Sequence, residues 1–179
     1  MSEFWQAVGL LRLDRPRGLV ELERCFTAGS VPVGLSGRLR GRLLAMTVGH
    51  GADALFETFG RAWMPWLGKR FEPGGGWNVF TTGGGRAIRA RWPSYAGART
   101  EPDGTRGAFR FVTSVGRSAL LPVEVLRIDY RDVPENPRPV RDVLDELVRV
   151  DADRYLGQAL LRSRGGLRRG AWFSLERSR

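Results

Sequence analysis

The spacing of apolar positions changes along this chain from a helical period to a period of two. Over the first thirty residues, apolar side chains recur every three or four positions, which predicts two short helices. Ser2 is the expected N-cap of the first helix. Asp14, followed by Pro16, begins the second helix, which Gly29 ends. The inward stripe of the second helix comprises Leu19, Leu22 and Phe26.

From residue 33 onward, polar and apolar residues alternate. Arginines at 38, 40 and 42 alternate with Leu39, Gly41 and Leu43, a pattern typical of a strand with a charged exterior and an apolar interior. A helix running to about Trp63 and broken by Pro65 follows this strand. In total, strands are predicted near residues 35–46, 77–82, 86–92, 108–115, 122–130, 146–150, 154–162 and 170–177.

The connections between most of these strands are too short for parallel crossovers, so neighbouring strands are expected to pair antiparallel. Eight such strands can close into an up-and-down barrel with room for one ligand. We therefore predict a single α+β domain, mainly β, over residues 1–179. The N-terminal helices occupy residues 1–30, the barrel occupies 33–179, and the helix after the first strand acts as a lid. An open antiparallel sheet packed against the helices is the alternative.

Composition narrows the classes of partner. The formal net charge is +10, but of the 29 basic residues only Lys69 is a lysine, which is typical of the codon bias of a GC-rich genome. The arginines are dispersed, so nucleic-acid binding is not favoured. Cys25 is the only cysteine, which excludes an internal disulfide and a Cys-rich metal site and fits a cytoplasmic location. No apolar run reaches the ~18 residues of a membrane-spanning helix, and the N-terminus lacks signal-peptide features.

Two blocks of the sequence carry a family resemblance. The stretch "LSGRLRGRLLAMTVGHGADALFETFGRAWMPWLGKRF" has two glycines spaced as in a Gly-x-Trp-x-Gly strand, a Gly-His turn and a Gly-Lys-Arg-Phe end. The stretch "RPVRDVLDELVRVDADRYLGQALL" is similar to the companion module of the same proteins. Together, these blocks resemble the bacterial GxWxG proteins, with Leu39 in place of the signature tryptophan. The resemblance implies a calycin-like barrel that holds an apolar or lipid-like molecule.

The candidate polar residues lie around the predicted barrel mouth. His50, between two glycines at a strand end, is interpreted as a turn residue, a ligand contact or a general base. Lys69 is either a solvated cation or, with Arg70, a group that holds the polar end of a ligand; a buried lysine can also form a Schiff base. Asp142, Asp145 and Glu146 form a carboxylate cluster on a predicted short helix, which neighbouring arginines can neutralise.

Core and lid packing is the first interpretation of the aromatic residues, and the wall of an apolar pocket is the alternative. With the polar residues, the predicted ligand-binding set is His50, Trp66, Lys69, Arg70, Trp77, Trp92, Tyr95, Tyr130 and Tyr155. No complete catalytic signature occurs, no metal or cofactor is predicted, and the oligomeric state stays open. The sequence favours a barrel that binds an apolar or lipid-like small molecule. A cyclase or isomerase using the same cavity, and a basic RNA-binding module, are the alternatives.

Overall fold

The computed structural model describes residues 2–47 and 65–177, which build a closed antiparallel β-barrel with helices on its outside. The helices in the described part are α1 (Glu3–Leu13), α2 (Arg15–Thr27), α3 (Thr82–Arg91) and the single turn α4 (Arg138–Arg141). The strands are β1 (Gly37–Met46), β2 (Trp66–Glu72), β3 (Gly75–Phe80), β4 (Arg99–Thr100), β5 (Arg106–Arg117), β6 (Glu124–Asp129), β7 (Val143–Asp151), β8 (Arg154–Ser163) and β9 (Gly166–Arg177).

Eight strands close the barrel, and every neighbouring pair is antiparallel. The order β3-β2-β1-β9-β8-β7-β6-β5 is closed by direct pairing of β3 with β5, while the two-residue strand β4 adds to the other side of β5. Closure leaves no free edge among these eight strands. The predicted mainly-β barrel with two N-terminal helices is confirmed, and the open sheet is excluded.

The N-terminal helices form for the expected reasons. Asp14 caps α2 by accepting a hydrogen bond from the Arg17 backbone N–H at 3.1 Å, with Pro16 in the first turn. Leu22 and Phe26 are fully buried on the inner face of α2. The two helices pack on the outside of the barrel, where the Phe26 ring meets the Trp172 ring of β9 edge-on at 5.4 Å.

Alternation along the strands divides the apolar residues into two cores. The barrel interior contains residues from all eight closing strands, among them Leu39, Phe71, Phe111, Leu147 and Phe173. A second core lies between the helices and the outer face of the barrel. Strands β7, β8 and β9 therefore contribute buried apolar residues to both faces of the barrel wall.

The two ends of the barrel differ in the length of their connections. At one end, the strands are joined through residues 73–74, 118–123 and 152–153. At the other end, the longer connections 81–105 and 130–142 lie together with one tight hairpin at 164–165, and β1 ends and β2 begins there as well. We call this second end the long-loop end. Long connections on a rigid scaffold are where binding residues concentrate in proteins.

Two expectations about local structure are wrong. Of the strand predicted at 86–92, residues 86–91 belong instead to α3, and Trp92 is its C-cap. The Thr81 side chain accepts a hydrogen bond from the Gly84 N–H and caps the start of this helix. Strand β2 was not predicted. A bulge between Trp66 and Gly68 breaks its two-residue period, and a lysine occupies one of its interior positions.

Other expectations concern the part of the chain that is not described. The predicted lid helix after the first strand, like His50, lies outside the described residues. Among the helices that are described, none has the length and apolar character needed to cross a membrane.

Candidate functional site

Four polar side chains meet inside the barrel, toward its long-loop end. We call Lys69 of β2, Asn78 of β3, Tyr130 just after β6 and Asp145 of β7 the interior polar cluster. Lys69 and Asp145 have no solvent exposure, and Asn78 and Tyr130 are also buried. Four separate segments of the chain converge here, so the cluster is a product of barrel closure.

Lys69 is at the centre of the interior polar cluster. Its Nζ donates hydrogen bonds to Asn78 Oδ1 at 2.8 Å, to Asp145 Oδ2 at 2.7 Å and to the Tyr130 hydroxyl. The Tyr130 hydroxyl in turn donates to Asp145 Oδ2 at 2.9 Å. Lys69 and Asp145 thus form an ion pair that is closed off from water.

Asn78 links this ion pair to the strained backbone of β5. Its amide nitrogen donates to the Tyr130 hydroxyl at 3.0 Å and to the Phe109 carbonyl at 3.3 Å. Phe109 has a φ of 55°, a conformation that is strained for a bulky residue. The Phe109 N–H donates to the Tyr95 hydroxyl at 2.6 Å, so hydrogen bonds hold this residue from both sides.

One atom of the interior polar cluster has no hydrogen-bond partner among the described residues. Asp145 Oδ1 is buried and accepts no hydrogen bond from the residues that the structure describes. A buried carboxylate oxygen without a donor costs about 1–3 kcal/mol or more. Such an atom can accept a hydrogen bond from an O–H or N–H donor.

Burial shifts the titration of two groups in the interior polar cluster. Desolvation lowers the pKa of Lys69, and the neighbouring Asp145 carboxylate opposes this effect. Desolvation, reinforced by the charge of Asp145, raises the pKa of Tyr130 well above its ordinary value. The site thus favours a neutral phenol and makes the amine easier to deprotonate than a lysine in water.

Four aromatic rings surround the Lys69 ammonium. The centroids of Tyr130, Phe111, Phe173 and Trp66 lie 5.2, 5.3, 5.6 and 5.8 Å from Nζ. Rings at this distance attract a cation through their electron-rich faces. The environment of the amine is therefore apolar and aromatic, apart from its three hydrogen-bond partners.

Three of these rings lie against glycines, which explains part of the glycine pattern in the sequence. A Cβ added to Gly41 would lie 2.3 Å from the Trp66 ring, and one added to Gly157 would lie 2.2 Å from the Phe173 ring. A Cβ on Gly76 would lie 2.8 Å from the Phe111 ring. The absence of side chains at these three positions therefore leaves the space that the aromatic rings occupy.

Neighbouring residues along β2 and β7 point to opposite sides of the barrel wall. Arg70 lies on the outside, where its Nε is 2.9 Å from Glu101 Oε2, so it does not meet Lys69 as expected. The interior position of Lys69 also differs from the solvated position that we considered for it. Glu146 likewise faces outward, and its carboxylate accepts hydrogen bonds from Ser118, Ala119 and Gln158.

The remaining predicted aromatic residues occupy different places. Trp77 lies outside the barrel, where its indole N–H donates to Glu101 Oε1 at 2.8 Å. Trp92 and Tyr95 pack against Phe109 at the long-loop end, and the buried Tyr155 belongs to the interior core. The structure thus brings Trp66, Lys69 and Tyr130 together but places Arg70 and Trp77 elsewhere.

Sequence reasoning did not identify Asn78, and it placed Asp145 on a helix. Asp142 instead ends α4, while Asp145 and Glu146 lie on β7 with opposite orientations. A useful signal was present, because Lys69 is the only lysine and needs an acidic partner if it is buried. The choice among 19 acidic residues, however, required the register of the barrel.

Within residues 2–47 and 65–177, no three His, Cys, Asp or Glu side chains are arranged as metal ligands. Three clefts lined by described residues lie on the outer surface. One of about 450 Å³ lies beside Tyr95, Arg99, Arg110 and Asn136. The largest of the three, of about 500 Å³, is lined mainly by exposed charged residues and contains no member of the interior polar cluster. We therefore take the interior polar cluster as the candidate site. In the described part of the chain it combines a buried ion pair, shifted pKa values and a carboxylate oxygen without a donor.

Comparisons with known proteins support the fold. No protein-family model matches the chain, and no curated protein matches it. A crystal structure of a protein from Thermomonospora curvata is similar, with a TM-score of 0.55, 17% sequence identity and coverage of 100% of both chains. At this identity, the likeness concerns the fold alone.

Proposed function

We propose that the barrel binds a small, largely apolar molecule through a polar group that donates a hydrogen bond to Asp145 Oδ1. The observation that carries this proposal is that this carboxylate oxygen is buried in an aromatic interior without a donor from residues 2–47 and 65–177. The long-loop end is the proposed entrance, because Tyr130 immediately follows β6 there and Asp145 is the third residue of β7. We include in the proposal a relationship to the GxWxG proteins and a cytoplasmic location.

The energetic argument comes from the cost of the interior polar cluster. Buried ion pairs often contribute no net stability, because the loss of hydration offsets their attraction. Strained backbone and shifted pKa values are also concentrated at functional sites. Lys69, Asp145 and the Phe109 backbone combine these features within one hydrogen-bonded group.

The RNA-binding alternative has weaker support. Single-stranded RNA stacks on exposed aromatic rings next to basic groups. Here Trp66 and Tyr155 are buried in the barrel, and Trp77 is buried beneath the segment that contains Arg99. Several arginines are also paired with acidic side chains, including Arg38 with Asp103.

The test compares ligands that differ only in the donor. Binding of 1-decanol and of decyl methyl ether is measured by the change in tryptophan fluorescence, since Trp66 is close to the proposed site. Loss of the O–H donor is expected to weaken binding by about tenfold, which corresponds to ~1.4 kcal/mol. Decanoate is expected to bind weakly, because its charge would face the Asp145 carboxylate.

Asp145→Asn is expected to remove most of the preference for the alcohol over the ether. Glu146→Gln is the matched control, because Glu146 is the next residue, is equally buried and faces outward. The control is expected to keep the preference. Equal affinity for alcohol and ether in the wild-type protein, or no binding of either, would contradict the proposal.

A further inference from the structure

The choice of lysine at position 69 is unusual for this chain. The sequence contains 28 arginines and a single lysine, and that lysine is buried with no solvent exposure. Arginine stays charged in proteins, whereas lysine can lose its proton and become a nucleophilic amine. The only side-chain primary amine of the sequence therefore lies inside the barrel.

We propose that Lys69 forms a covalent imine with an apolar aldehyde or ketone bound in the barrel. This inference rests on the proposed function and names its ligand class as a carbonyl compound. The hydrogen-bonded arrangement of Lys69 with the Tyr130 hydroxyl, the Asn78 amide and the Asp145 carboxylate carries it. Lys69 supplies the amine and Tyr130 relays protons. The Asn78 side-chain oxygen orients the amine by accepting its hydrogen bond, and Asp145 supplies the opposite charge.

The chemistry balances without any further reactant. The Asp145 carboxylate first accepts a proton from the Lys69 ammonium, 2.7 Å away, and returns it to the imine nitrogen at the end. The Nζ lone pair forms the C–N bond, the π electrons of the carbonyl move to its oxygen, and Tyr130 transfers a proton from nitrogen to that oxygen. The carbinolamine hydroxyl then donates a hydrogen bond to Asp145 Oδ1, the oxygen that has no donor among the described residues. Tyr130 relays the second amine hydrogen as the C–O bond breaks. The C=N bond forms, one water leaves, and Tyr130 ends protonated.

The surroundings of Lys69 favour this reaction over simple ion pairing. Attack requires a neutral amine, and loss of hydration on burial lowers the pKa of Lys69, while the Asp145 carboxylate opposes this effect. The Asp145 carboxylate, 2.7 Å from Nζ, stabilises a protonated imine once it has formed. The same rings provide an apolar surface for the carbon chain of the ligand.

The experiment traps the imine by reduction. The folded protein is incubated at neutral pH with octanal and sodium cyanoborohydride, and the alkylation of Lys69 is measured by peptide mapping. The N-terminal amine is scored separately. The reference is the same chain unfolded in guanidinium chloride. We expect Lys69 of the folded protein to react at least about tenfold faster than in the unfolded chain, because the apolar interior holds octanal beside an amine whose pKa is lowered by burial.

Tyr130→Phe is expected to slow trapping by about a hundredfold, since it removes the proton relay. Glu146→Gln should leave the rate unchanged because it alters only the outer face. The comparison of folded with unfolded wild-type protein needs no variant, so it remains decisive even if Tyr130→Phe does not fold. Slower labelling of folded than of unfolded protein would overturn the inference.

The two proposals fail in distinguishable ways. If 1-decanol binds with the expected preference over its ether but Lys69 is protected from octanal, the binding proposal stands and the imine does not form. If neither the alcohol nor the aldehyde engages the barrel, both proposals are wrong. Rapid labelling of Lys69 together with preferential alcohol binding supports both.

Discussion

Replacement of Lys69 by methionine tests whether the interior polar cluster is a closed buried ion pair. Methionine keeps an unbranched side chain but removes the charge and all three hydrogen-bond donors. At the observed 2.7 Å, the attraction between Lys69 and Asp145 is about 6 kcal/mol for an effective dielectric constant of ~20. Desolvation of the two ions costs several kcal/mol each, so the intact pair contributes little net stability.

Removal of one partner has a much larger effect than this balance suggests. Lys69→Met leaves the Asp145 carboxylate buried without a cation, and we expect the free energy of unfolding at neutral pH to fall by about 3–5 kcal/mol. The double variant Lys69→Met/Asp145→Asn removes both charges and keeps an acceptor for Tyr130. It is expected to recover about 2 kcal/mol or more of that loss.

Urea unfolding followed by circular dichroism measures these differences, provided that the slope of the transition stays constant. Arg154→Met is the control, because Arg154 pairs with Asp151 and Glu176 while remaining one-third exposed, and it should cost less than about 1 kcal/mol. If Lys69→Met costs no more than this control, and its effect simply adds to that of Asp145→Asn, the reasoning about a closed ion pair is refuted.

Two further predictions concern the ring packing and the phenol. Gly157→Ala should lower the free energy of unfolding by about 1–3 kcal/mol, because the Phe173 ring occupies the space of the new methyl group. Gly116→Ala, whose nearest contacts are with the flexible Arg127 side chain, should stay within about 0.5 kcal/mol in the same urea assay. The raised pKa of Tyr130 means that the unfolded chain loses this proton first, so stability falls as the pH rises above the ordinary pKa of tyrosine. Unfolding measured across alkaline pH should therefore show a shallower loss in Tyr130→Phe than in wild type; equal slopes would contradict the assignment.

The pattern of the sequence predicted β8 correctly, although both faces of this strand are apolar. In β8, Tyr155 and Ala159 face the interior core while Leu156 faces the helices, so both faces are apolar yet the strand is recognisable from its length and turns. In β2, the bulge after Trp66 shifts the phase, and Lys69 occupies an interior position that a hydrophobic pattern assigns to the outside. Local pattern therefore fails where polar residues are placed inside the barrel.

The candidate site was predictable only in part, because its geometry depends on contacts between distant strands. Lys69 and Tyr130 were identified as single residues, yet 61 positions separate them in the sequence. Asp145 is 76 positions from Lys69, and its interior orientation follows from the register of β7 against β6 and β8. A single sequence carries no signal that pairs these residues, since only closure of the barrel brings them into contact.

The difference between the two ends of the barrel bears on how new specificities arise in such a protein. Changes in loop length add little conformational cost, since each doubling costs only about 0.6 kcal/mol. The exposed parts of the rim, within residues 81–105 and 131–142, can therefore be lengthened or shortened while the short turns at the opposite end preserve strand pairing and Tyr95 and Tyr130 stay in place. Grafting alternative rims onto this scaffold is thus a practical route to variants that admit different molecules to the same internal amine.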